Sequence, residues 1–67
     1  PMVESLSDRE LEVLALVAEG LPYAKIAKRL FVSVNTIKTH MLHVRSKLDA
    51  DNRTHAVAIA RDLELID

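Results

Sequence analysis

The chain has 67 residues, 49% of them hydrophobic and only 3% aromatic, with one Gly, two Pro, no Cys and a formal net charge of −1. That length suits one small domain with a simple core, burying about 60% of the surface its unfolded form exposes. A core of Leu, Val, Ile and Ala favours packed helices over strands, and the missing cysteines exclude disulfide staples and cysteine-ligated zinc while fitting a reducing, cytoplasmic setting.

The first predicted helix runs from about Asp8 to Glu19. Ser7 supplies a cap, Glu10 stands three residues later to reach back, and Leu6 with Leu11 occupies the positions of a hydrophobic staple. Leu11, Leu14, Val17 and Ala18 recur at helical spacing as its expected buried stripe, and Gly20 suits a left-handed terminator. A second helix should start near Pro22, whose missing N–H is harmless in a first turn, and continue to about Leu30. Ile26, Ala27 and Leu30 then face inward, with Lys25, Lys28 and Arg29 turned to solvent or to a polyanion. Phe31 and Val32 fill a tight turn.

Ser33 caps a third helix, expected over about Val34 to Asp49. Ile37, Met41, Val44 and Leu48 are spaced four, three and four apart, which at ~100° per residue places them on one narrow core stripe. The opposite side carries Asn35, Thr39, Leu42, His43 and Ser46, with Lys38 and Arg45 along one edge and Thr36 along the other. Hydroxyl, amide, imidazole and cationic groups on an outward helix are the chemistry that hydrogen-bonds bases and phosphates. Asn52 then caps a fourth helix from about Arg53 to Leu65, with Ala56, Ile59, Ala60 and Leu63 inside. Val57, Ala58, Arg61 and Leu65 form a second, partly apolar side, which reads either as a contact for another copy of the chain or as ordinary surface.

Charge follows the same division. Lys25, Lys28, Arg29, Lys38, Arg45 and Lys47 lie between Gly20 and Leu48 without a single carboxylate, whereas residues 1–19 hold one base against five acids and residues 49–67 two against five. The basic middle coincides with two short helices and a turn, the pattern of a helix-turn-helix. No apolar run approaches the roughly 20 residues that span a bilayer, and no signal peptide is visible, so no membrane association is expected. A chain that begins with Pro1 rather than Met reads as a fragment of something longer.

These residues resemble the LuxR/FixJ type of helix-turn-helix DNA-binding domain found at the C-terminus of bacterial transcription regulators. The likeness runs through Leu6-Ser7-Asp8-Arg9-Glu10-Leu11-Glu12-Val13-Leu14, Glu19-Gly20-Leu21, Ile26-Ala27 with Leu30, Ser33 with Thr36-Ile37-Lys38-Thr39-His40, Lys47-Leu48, and Asn52-Arg53-Thr54 with Ala56. It implies an all-α, compact four-helix domain without a wing over residues 1–67, its helix-turn-helix at about Leu21 to His40. It further implies a third helix in the major groove and a fourth that supports dimerisation. Base contacts are then expected from Lys38, Thr39 and Leu42, with Asn35 and His43 adding to them. Phosphate contacts fall to Thr36, Lys25, Lys28, Arg29, His40 and Arg45, and the dimer contact to Val57, Ala58, Arg61 and Leu65. The chain departs from the pattern at Pro22, Tyr23, Ala24 and Leu42, where capping, amide or basic residues are common. Glu10, Lys47 and Arg53 also match the family, and are expected to tie helix 1 to the end of helix 3 or the start of helix 4, with DNA contact by Lys47 or Arg53 as the rival reading.

The expected partner is double-stranded DNA, bound by a homodimer on an inverted repeat, with RNA polymerase a further candidate. Two other functions stay open: a sigma-factor-like promoter-recognition region, which shares the Arg-Glu and Ser-x-x-Thr-Ile pattern, and a protein-interaction module using helix 4. Nothing points to an enzyme or a cofactor, because Ser7, Ser33 and Ser46 read as caps or surface residues and no glycine-rich phosphate loop is present. His40 and His43 are three apart, but His55 lies on another helix and no carboxylate completes a metal set.

Overall fold

The computed structural model describes residues 6–67, which form four helices and no strand: α1 (Asp8–Ala18), α2 (Tyr23–Leu30), α3 (Val34–Leu48) and α4 (Arg53–Asp62). The first five residues of the expected domain lie outside the described residues. Three helices start on side-chain caps. The Ser7 hydroxyl accepts the Glu10 N–H while the Glu10 carboxylate accepts the Ser7 N–H, Ser33 accepts the Thr36 N–H, and Asn52 accepts the His55 N–H. α2 has no such bond; Pro22 is its N-cap and contributes only its carbonyl, which accepts from Lys25 and Ile26.

α3 packs against each of the other three helices, so the core is assembled around it. Ile37, Met41, Val44 and Leu48 are all buried, meeting Val13, Leu14 and Leu16 of α1, Ile26 and Ala27 of α2, and Ala56 and Ala60 of α4. Withdrawing each large aliphatic chain from water stabilises the fold by about 1.5–3 kcal/mol, and small Ala56 and Ala60 let α4 approach closely.

Two predicted stripes shift. On α1 the buried set is Glu10, Val13, Leu14 and Leu16, whereas Leu11, Val17 and Ala18 are only partly covered. The inner face is rotated from the expected one and includes a carboxylate, Glu10, beside Val13 and Leu16. On α4 the helix stops at Asp62, and Leu63, expected inside, is its half-exposed C-cap. Leu30 of α2 and Ile59 of α4 are likewise only partly buried.

All four helices terminate the same way. Gly20, Phe31, Asp49 and Glu64 have positive φ, of 89°, 58°, 55° and 58°. Just beyond each, an N–H reaches back five residues: Leu21 to Leu16, Val32 to Ala27, Ala50 to Arg45 and Leu65 to Ala60. This closure satisfies carbonyls that a helix end leaves open. Only Gly20 adopts the left-handed region without a Cβ penalty, so the other three ends are held by packing and hydrogen bonds.

Candidate nucleic-acid interface

The helix-turn-helix consists of α2, the turn Phe31–Ser33 and α3. Ser33 fixes the start of α3 twice over, since its hydroxyl also lies 3.0 Å from the Thr36 hydroxyl. That pairing draws Thr36 into the cap and leaves it partly covered. Beyond it, Asn35, Lys38, Thr39, Leu42, His43 and Ser46 are all exposed, on the side opposite the buried stripe. Leu42 is 61% exposed at the middle of this surface. His40, nearer the core boundary, is partly covered.

The other cations take different places. Lys25 is exposed in the first turn of α2; Lys28 and Arg29 are exposed in its last turn, where they also complement the negative end of the helix dipole. Arg45 is partly buried and donates to the Asp51 carbonyl, bracing the turn before α4, while its Nε is buried without an acceptor. Lys47 is withdrawn from the surface strip. Its Nζ donates to Glu10 Oε1 at 2.8 Å, an oxygen that also accepts the Ser7 N–H at 2.9 Å. The expected tie between α1 and the end of α3 therefore runs through Lys47 and not through Arg53.

Glu10 is only 5% exposed. Burial by itself pushes its carboxyl pKa up, but the Lys47 ammonium and the Ser7 N–H and hydroxyl outweigh that penalty and hold it below the usual carboxylate value. His43 extends the pair toward the outer face, with Nδ1 3.9 Å from Glu10 Oε2. The three histidines are not brought together: His55 accepts the Asp51 N–H through Nδ1, and no group of three ligand-type side chains able to hold a metal occurs among the described residues.

A residue pair that sequence reasoning did not join stands beside α3. The Arg53 guanidinium lies over the Tyr23 ring, 5.1 Å from its centroid. Together with Lys38, Met41, Leu42, Arg45 and Asn52 they line a cleft of about 420 Å³. Neither residue had a spacing signal, because one opens α2 and the other opens α4.

The second side of α4 is divided. Val57, Ala58 and Arg61 border a groove of about 290 Å³ with Val17 and Ala18 of α1, and Arg61 donates to the Ala18 carbonyl at 3.4 Å and to the Asp67 carbonyl at 3.1 Å. Leu65 does not join them. The left-handed turn at Glu64 carries it beyond the helix, to a separate groove against Asp8, Leu11 and Ala15.

An α2–turn–α3 unit braced by two further helices, with a polar exposed face on α3, defines a helix-turn-helix domain of the four-helix type. Residues 4–60 match the family described as bacterial regulatory proteins, luxR family. The chain belongs to that family, and its fold is the LuxR-type helix-turn-helix, a DNA-binding module of transcription regulators. It is 44% identical over 63 residues to the transcriptional regulatory protein LiaR of Bacillus subtilis, covering 94% of this chain and 30% of LiaR. Identity is also 44% over 62 residues to the oxygen regulatory protein NreC of Staphylococcus haemolyticus, covering 92% of this chain and 29% of that protein. A solved structure, the response regulator ChrA of a heme-sensing two-component system, superposes with a TM-score of 0.90 at 45% identity, covering 98% of this chain and 32% of ChrA. The chain thus spans about a third of the length of the curated relatives it matches. Those relatives are regulators, and the match selects the LuxR type over a sigma-factor region. No helix among the described residues is long and apolar enough to cross a membrane.

Proposed function

We propose that the domain reads a specific double-stranded DNA sequence with α3 in the major groove, as a homodimer on an inverted repeat, and thereby controls transcription in the bacterial cytoplasm. The observation that carries this is the division of α3: one side is wholly buried, and the other presents Asn35, Lys38, Thr39, Leu42 and His43 to solvent. Lys38 and Thr39 are the principal base readers. A Lys ammonium suits guanine O6 and N7, and the Leu42 side chain suits a thymine methyl. Thr36, His40, Lys25, Lys28, Arg29 and Arg45 hold or border phosphates. Val57, Ala58 and Arg61 are the core of the dimer contact, and Leu65 sits apart from it. The domain performs no chemistry itself, needs no cofactor and acts as the output part of a longer regulator, with RNA polymerase downstream.

Selecting bound duplexes from a random pool tests this directly. The expected product is a repeated half-site with centres about one helical turn, roughly 10 base pairs, apart. Affinity should fall steeply between low and physiological salt, by about 0.9 log per log of salt for every phosphate neutralised. An unselective pool, or binding insensitive to salt, would overturn the proposal.

A further inference from the structure

We propose that Arg53, held against the Tyr23 ring at the cleft beside α3, is a second DNA-backbone anchor that clamps a phosphate next to the one or more phosphates held by the helix-turn-helix. The inference rests on the DNA-binding reading above and adds a contact from α4, an element outside the helix-turn-helix.

Three observations converge on the cleft. Its lining holds three cations, Lys38, Arg45 and Arg53, and no carboxylate, although the residues just before α4 include Asp49 and Asp51. Lys38 and Leu42 belong both to this lining and to the exposed face of α3, so a duplex seated on that face brings a sugar-phosphate strand past the cleft mouth. Among the described residues, finally, the Arg53 guanidinium has no hydrogen-bond acceptor and no ion-pair partner, and its one specific contact is the Tyr23 ring. A cation stacked on a ring is positioned without using its hydrogen-bonding edge. The in-plane N–H fork then stays available for a phosphate, which it fits bidentately.

The surroundings favour an anion. α4 begins at Arg53, no acidic residue occupies its first turn, and the positive end of its dipole faces the same region. Arg45 contributes charge from α3 while its own guanidinium braces the Asp51 carbonyl, so of these two Arg53 is the cation with the freer donors. The Ala24 side chain, exposed in the first turn of α2, offers no donor there, and the Tyr23–Arg53 stack stands beside it.

The test compares wild type, Arg53→Gln, Arg53→Lys and Lys38→Ala on a duplex selected from a random pool and on a scrambled duplex, across a salt series. Melting curves accompany each variant. Arg53→Gln should weaken binding to both duplexes alike, roughly three- to tenfold at about 0.1 M salt, and make the log–log salt slope shallower by about one. Arg53→Lys should restore the slope but only part of the affinity, since it keeps the charge and loses the fork. Lys38→Ala should instead erode the preference for the selected duplex. An unchanged salt slope in Arg53→Gln, whether or not its melting temperature falls, overturns the anchor while leaving the α3 reading intact. Loss of sequence preference in Arg53→Gln with the slope unaltered overturns it as well, by making Arg53 a base reader. Should wild type bind without preference, the α3 reading fails and the slope change on the scrambled duplex still decides the anchor; binding to no duplex overturns both.

Discussion

The two sides of α3 obey different constraints although they share one backbone. Ile37, Met41, Val44 and Leu48 are fixed by shape, because each is buried against neighbours that cannot move apart without leaving a void. Asn35, Lys38, Thr39 and Leu42 are exposed and make no contribution to the core, so only an external partner can constrain them. The difference separates what the domain needs in order to fold from what it needs in order to act.

The largest effect should come from the inner side. Ile37→Ala removes a fully buried chain at the junction of the helices and should cost about 2–5 kcal/mol, most of the stability of a domain this small, as read by urea unfolding. DNA affinity should be lost only to the extent that the domain unfolds. On the outer side, Lys38→Ala and Thr39→Ala should leave the unfolding midpoint within about 0.5 kcal/mol of wild type while discrimination between selected and scrambled duplexes falls by about 1–3 kcal/mol. Were either outer variant to destabilise the fold as Ile37→Ala does, the separation of the two sides would fail.

Glu10 and Lys47 sharpen the same contrast, since a charged pair here belongs to the architecture. Lys47→Met should cost about 1–3 kcal/mol by leaving the Glu10 carboxylate buried with Ser7 and the more distant His43 beside it. The fold lowers the Glu10 pKa, so its ionised form stabilises the native state fully above the ordinary carboxylate range. That stabilisation fades as pH drops from about 5 through the lowered value. Glu10→Gln should therefore show a weaker loss of stability than wild type over the same acid range in urea titrations.

Much of this was legible from spacing. The Ser7–Glu10 capping box, the Ser33 and Asn52 caps and the α3 stripe are local patterns, and each appears where the sequence places it. What depended on distant residues was not. The tie of Glu10 to Lys47, thirty-seven positions away, was expected from the family resemblance and not from periodicity, and the buried place of Glu10 on α1 is what the spacing of its apolar residues missed. Likewise, α4 ended early because Glu64 accepts a left-handed conformation, which only Gly advertises in sequence. The exposed outer residues of α3 could be listed from a helical wheel, but the Tyr23–Arg53 stack could not, since it joins the openings of two helices through tertiary packing.

The smallest predicted effect lies at the turn between α2 and α3. Phe31 is 94% exposed at φ 58°, so its ring gains little from burial, and it lacks the short polar side chain that lets Asn hydrogen-bond locally in the left-handed region. Phe31→Asn should raise stability by about 0.5–1 kcal/mol in thermal melts, with the α3 face unchanged.

Backbone and methyl chemical shifts recorded while a selected duplex is added test the division of α3 most directly. The expected result is large perturbation at Asn35, Lys38, Thr39 and Leu42, with the exposed first turn of α1 around Asp8 and Arg9 nearly silent. Perturbation centred on the groove between α1 and α4, with Lys38 and Thr39 unmoved, would contradict it.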